Sequence, residues 1–147
     1  MKLDNSGCKL ITDFEGLRLK AYKCPANIWT IGYGSTFYPD NTKVKEGDVI
    51  TKEKAFDMFK IISSDFEKAL SMCIRKSITQ NQFNAVASLA YNIGIGAFIK
   101  STLLKKININ PNDETIKDEF LKWNKASGKV LSGLTKRRKN ESNIYFS

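Results

Sequence analysis

Glu15 brings a carboxyl into the N-terminal part of the chain. Cleavage of a glycosidic bond passes through an oxocarbenium-like transition state. It needs an acid to protonate the departing oxygen and a second group to place water on the opposite face. Glu15 suits the first task. It is expected in the last turn of a helix, where unpaired carbonyls are partly negative and favour retention of the proton an acid must deliver. Its plainer reading is a solvated carboxylate, or one paired with Arg18 or Lys20.

The elements that must position these groups follow from periodicity and turn chemistry. Leu10, Ile11 and Phe14 recur at helical spacing after Asn5 or Ser6, either of which could cap the start, until Gly16 stops the helix beside Glu15. In LKAYKCPANIWTIGYGS, Pro25 and Asn27 supply a turn, and Trp29, Ile31 and Tyr33 alternate with Thr30, Gly32 and Gly34. This predicts a small antiparallel hairpin with Thr30 on the face away from the bulky residues. Thr51 then caps a long helix with Ala55, Phe59, Ile62, Phe66 and Leu70 on one face. Thr79 and Gln82 form a capping box before Phe83, Val86, Ala90 and Ile93, a helix expected to be the most buried and to end at Gly94 and Gly96. Further helices are expected at Ser101 to Ile107, Asp113 to Trp123 and Ser132 to about Phe146. The fold class is α+β, mainly α, with one small sheet near the N-terminus.

A chain of 147 residues is long enough to bury roughly two thirds of its unfolded surface in one domain. Three well-separated cysteines, Cys8, Cys24 and Cys73, with no histidine suggest neither a metal site nor a full disulfide set, and no cofactor is expected. The start MKLDNSGCKL has no apolar run of signal-peptide length, so synthesis in a cytoplasm without a signal peptide is expected, and no stable membrane association. A net charge of +9 implies attraction to a polyanion, which cell wall, nucleic acid and anionic lipid all satisfy. Gly32 and Gly34 do not open a helix as a phosphate loop would, which argues against nucleotide chemistry.

FEGLRLKAYKC followed by WTIGYGST resembles the active-site signature of phage-type lysozymes, glycoside hydrolase family 24. QNQFNAVASLAYNIGIGAFIKSTLLKKI resembles the family's buried helix and following turn, and WNKASGKVLSGLTKRRKNE its C-terminal signature. The three blocks stand in the family's order over nearly the whole chain. The resemblance implies one domain, 1–147, with a sheet-containing lobe at about 17–50, a helical lobe of 1–16 and 51–147, and a cleft between them. It implies hydrolysis of the bond between N-acetylmuramic acid and N-acetylglucosamine in peptidoglycan, with Glu15 as acid and Thr30 and Cys24 acting on water. A hydroxyl both donates and accepts hydrogen bonds, which fits Thr30 to hold the water. Cys24 is a weaker water-activating group than a carboxylate, because a thiol ordinarily titrates at about 8.5 and is mainly protonated at neutral pH. Either basic surroundings lower that value, or Thr30 positions the water and Cys24 only assists; the plainer readings are a strand-forming Thr30 and a buried inert Cys24. By position it places Ser35, Thr36, Tyr91 and Asn92 along the sugar, although Tyr91 is equally readable as core. Where family members often carry His after GYG, this chain has Ser35. Arg137 and Arg138 fall where the family has basic residues near the acid; a solvated cationic face is their alternative. The enzyme is then expected to be a monomer whose partner is peptidoglycan and not nucleic acid, reaching the wall after the membrane is permeabilised.

Two rival classes remain open on sequence. A basic helical nucleic-acid module is suggested by the net charge and the KRRK run, and would show affinity falling steeply with salt. A catalytically impaired wall-binding homologue, made credible by Cys24, would bind peptidoglycan and leave its turbidity unchanged.

Overall fold

Asp4, one residue ahead of the expected caps, starts the first helix: its Oδ1 accepts the Gly7 amide at 2.9 Å, which satisfies an otherwise orphaned N–H. In the computed structural model, which describes all 147 residues, helix α1 spans Asn5–Glu15 and ends where Gly16 takes a left-handed φ of 71°. The same Asp4 oxygen receives the Asn84 amide at 2.8 Å. Gly7 has no Cβ because Asn84 occupies that space.

The chain divides into two compact units, one of Ile11–Asp65 and one of Met1–Leu10 with Phe66–Ser147. The first contains strands β1, Arg18–Lys23, and β2, Trp29–Gly32, paired antiparallel around the Pro25 to Asn27 turn, where Asn27 has φ 62°. Ala21, Ile31, Val44 and Met58 form its core, with Trp29, Tyr38 and Ile50 packed against them. Trp29 and Ile31 contribute to that core from alternate positions, as the period of two requires. Helix α2, Lys52–Cys73, starts with Thr51 accepting the Lys54 amide at 3.1 Å. Its buried side includes Met58 beside the expected Ala55 and Phe59.

The loop between β2 and α2 is held by Tyr38, whose hydroxyl donates to Asp48 Oδ2 at 2.7 Å, and by the Lys45 amide, which donates to the same oxygen at 2.9 Å. Partial burial and the Asp48 charge push the Tyr38 phenol up to about 12, and the Tyr38 hydroxyl and Lys45 amide hold Asp48 below the usual carboxylate range. A group whose folded pKa is raised stabilises the fold fully below its unfolded value. That contribution is lost as pH climbs, here between about 10 and about 12. Thermal melts across that window should therefore fall more steeply for the parent than for Tyr38→Phe; parallel slopes would refute the assignment.

In the second unit, α3, Gln80–Ile93, carries the expected capping box: Thr79 Oγ1 accepts the Gln82 amide at 3.1 Å and Gln82 Oε1 accepts the Thr79 amide at 2.9 Å. Every residue from Gln82 to Ala90 is buried, so the helix lacks a solvent face over this stretch. Gly94, at φ 92°, ends α3 as expected, but a short helix, α4, Ile95–Ile99, follows directly through Gly96. Helix α5, Thr102–Ile109, is capped by Ser101, and α6, Ile116–Leu121, is shorter than the periodicity predicts. A second hairpin not expected from the sequence, β3, Lys125–Ala126, with β4, Lys129–Val130, turns through Ser127 and Gly128, both at positive φ. Helix α7, Ser132–Tyr145, completes the chain. No helix is long and apolar enough to cross a membrane.

Candidate active site

Glu15 ends α1 and remains half-buried. Its carboxyl lies against the turn that follows β2. There Ile31 and Ser35 exchange backbone hydrogen bonds of 2.8 and 2.9 Å, and Gly32 and Gly34 take φ values of 66° and 87°. A Cβ on Gly34 would stand 3.4 Å from Glu15 Oε2. Glycine at 34 thus meets two demands, a backbone conformation that L side chains rarely adopt and a close approach to the carboxyl. Neither strand alternation nor the lack of a phosphate-loop pattern reveals this role of Gly34; a glycine punctuating a strand end was the available signal. Gly34→Ala should lower activity about tenfold or more, because the backbone strain falls on the turn against which the carboxyl rests. Gly47→Ala, at φ 84° with nothing within 4 Å of its Cβ, carries similar backbone strain and is the control. Equal activity losses in the two would remove Gly34 from the site.

Cys24 lies just beyond β1, and Thr30 is in β2, opposite Tyr22. The Thr30 side chain is buried, with its hydroxyl donating to the Ile28 carbonyl at 2.9 Å. The Ile28 amide foremost, then the Ala26 amide, the Thr30 hydroxyl and Cys24's own amide, hold the thiol below its ordinary value against the opposing effect of partial burial. The cause is hydrogen bonding and not basic surroundings. Such an arrangement raises the thiolate fraction above that of an ordinary thiol.

Ser35 and Thr36 belong to the same unit as Glu15, Cys24 and Thr30. Ser35 is 4% exposed and closes the Ile31 turn through its backbone; Thr36 is half-buried, its carbonyl accepting the Val44 amide at 3.1 Å. Tyr91, Asn92, Arg137 and Arg138 belong to the other unit. Tyr91 is half-buried with its ring 5.4 Å from that of Phe66, and Asn92 is exposed.

Arg137 and Arg138 do not form a solvated face: they are 5% and 0% exposed. They surround Glu141, which sequence reasoning did not single out. Glu141 Oε1 accepts from the Ser88 hydroxyl at 2.6 Å, Arg138 Nη2 at 2.9 Å and Arg137 Nε at 3.1 Å, and Oε2 lies 2.7 Å from Arg138 Nε. Arg137 Nη2 also donates to the Ser88 carbonyl at 3.2 Å and Arg138 Nη1 to that of Trp123 at 3.3 Å. Burial pushes the Glu141 carboxyl up against the downward pull of Arg138, Ser88 and Arg137. An acid three and four residues beyond two arginines on one helix was the visible signal.

Residues 12–141 match the phage lysozyme family. The chain is 42% identical to an endolysin of Acyrthosiphon pisum secondary endosymbiont phage 1, over 100% of this chain and 99% of that protein. It is 40% identical to an endolysin of Bacillus phage B103, again over its full length, but spans only 55% of that relative. Among solved structures, an endolysin from Escherichia coli O157:H7 phage FAHEc1 superposes with a TM-score of 0.91 at 38% identity, covering 100% of this chain and 94% of the other.

Proposed function

Because the chain belongs to the phage lysozyme family and is a lysozyme-type glycoside hydrolase, we propose that it hydrolyses the β-1,4 bond between N-acetylmuramic acid and N-acetylglucosamine in bacterial peptidoglycan. Glu15 protonates the glycosidic oxygen. Thr30 holds the attacking water, and the Cys24 thiolate accepts the proton that water loses. Ser35, Thr36, Tyr91 and Asn92 bind the sugar, an aromatic face and an amide edge suiting its C–H faces and hydroxyls. The whole chain acts as one lysozyme-like domain, monomeric and without a cofactor, reaching the wall once the membrane has been breached. The net positive charge favours residence on an anionic wall.

The observation that carries this reading is the half-exposed Glu15 carboxyl lodged at Gly34, in the compact unit that also holds Cys24 and Thr30. A thiol held below its ordinary value by backbone amides serves where a carboxylate would be the simpler base. Release of reducing ends from purified peptidoglycan, with muropeptides identified by mass, tests it. Cys24→Asp should preserve or raise the rate and Cys24→Ser should lower it; equal rates for all three proteins would make the thiol a bystander. Alkylation gives a second readout, because the Cys24 thiol is held down and burial pushes the Cys73 thiol up. Iodoacetamide near neutral pH should modify Cys24 first and abolish activity as it does so.

A further inference from the structure

Between Arg18 and Tyr22 the β1–β2 ladder slips: Arg18 pairs with Gly32, whereas Tyr22 pairs with Thr30. The residues between them bond elsewhere. Ile50 donates to the Leu19 carbonyl at 2.9 Å, Ala21 donates to the Asp48 carbonyl at 2.9 Å, and Lys20 bridges Val49. A bulge bends its strand and re-aims a side chain. Here it folds the Arg18 guanidinium back over the Tyr22 ring, 4.9 Å from the centroid.

Directly opposed residues of an antiparallel pair share a face, so the Tyr22 ring stands beside Thr30. Cys24 follows Tyr22 by one strand period. Arg18 is exposed, and no ion pair within the chain engages it. A planar cation is thus fixed by a ring on the face that carries the proposed water-handling pair, with its N–H edge open. Such an edge matches a carboxylate in two-point geometry, which a flexible ammonium does not reproduce.

We propose that Arg18, seated on Tyr22, binds a carboxylate of the glycan substrate and sets the enzyme's preference for anionic strands. This rests on the peptidoglycan reading above. N-acetylmuramic acid carries a lactyl carboxyl, free or amide-linked to a stem peptide with carboxylates of its own, and either source presents the same chemistry to the guanidinium.

The test compares three substrates: strands bearing stem peptides, strands stripped by an amidase to free lactyl carboxylates, and stripped strands whose lactyl groups are converted to methyl amides. Wild-type kcat/KM should favour a charged strand over the neutral one. Arg18→Gln should reduce that ratio about three- to fivefold, through KM, in keeping with one exposed charge pair. Tyr22→Leu should reproduce the loss, Tyr22→Phe should retain the preference, and Arg18→Lys should fall between. Loss on the peptide-bearing strand alone assigns the carboxylate to the peptide, and loss on the stripped strand assigns it to the lactyl group. An active wild type with no preference, or a ratio unchanged in Arg18→Gln, overturns the assignment and leaves the hydrolase intact. A wild type inert on all three strands overturns the hydrolase reading and the Arg18 assignment with it.

Discussion

Glu15→Gln should release reducing ends from peptidoglycan about a hundred to ten thousand times more slowly than the parent, the usual worth of a positioned general acid. The amide is nearly the size of the carboxyl and can occupy the same place beside Gly34, where Oε2 lies 3.4 Å from the position of a Cβ. It has no acidic proton to give. A melt of the variant separates loss of chemistry from loss of fold. Undiminished release by the folded variant would rule out Glu15 as the acid.

The largest effect on stability is expected at Glu141. Its removal leaves the buried guanidiniums of Arg137 and Arg138 without the carboxylate that both address at 2.7 to 3.1 Å. Breaking a buried ion pair from one side typically costs about 3–5 kcal/mol. At about 2–4 °C per kcal/mol for a chain of this size, Glu141→Ala should melt roughly 10 °C below the parent. Replacing all three charges by apolar residues of similar volume should recover much of that loss, since the penalty comes from charge left without compensation and not from lost attraction. Glu114→Ala, on an exposed residue, should melt within a degree or two of the parent. A Glu141→Ala melt as mild as that would mean the cluster contributes little.

Much of the fold was readable because local chemistry and tertiary packing agree. The Thr79–Gln82 box, Thr51 ahead of α2 and Gly16 after Glu15 act through hydrogen bonds and dihedral freedom within a few residues, and each appears where the sequence places it. Asp4 displaced Asn5 and Ser6 as the first cap because it also receives Asn84, a partner distant in sequence. The hairpin at Lys125 to Val130 is too short to show alternation, and α4 runs through Gly96, which local propensity scores against helix. For the site, the helix end pointed to Glu15, and the resemblance carried by FEGLRLKAYKC and WTIGYGST added Cys24 and Thr30. The contact of Glu15 with Gly34, the amides around the sulfur and the burial of Arg137 and Arg138 are products of three-dimensional packing. The arginines show the limit most clearly: a KRRK run reads as solvated until the acid that neutralises it is located.

Helix α3 constrains how this sequence can vary. From Gln82 to Ala90 no position faces water, so no position can absorb a neutral drift toward charge. Ala85, Ala87 and Ala90 leave little room for larger side chains in a close-packed interior. Substitutions accepted along this segment should therefore occur in concert with changes in the helices packed on it. In lineages that diverge freely on their surfaces, this stretch should be the slowest to change.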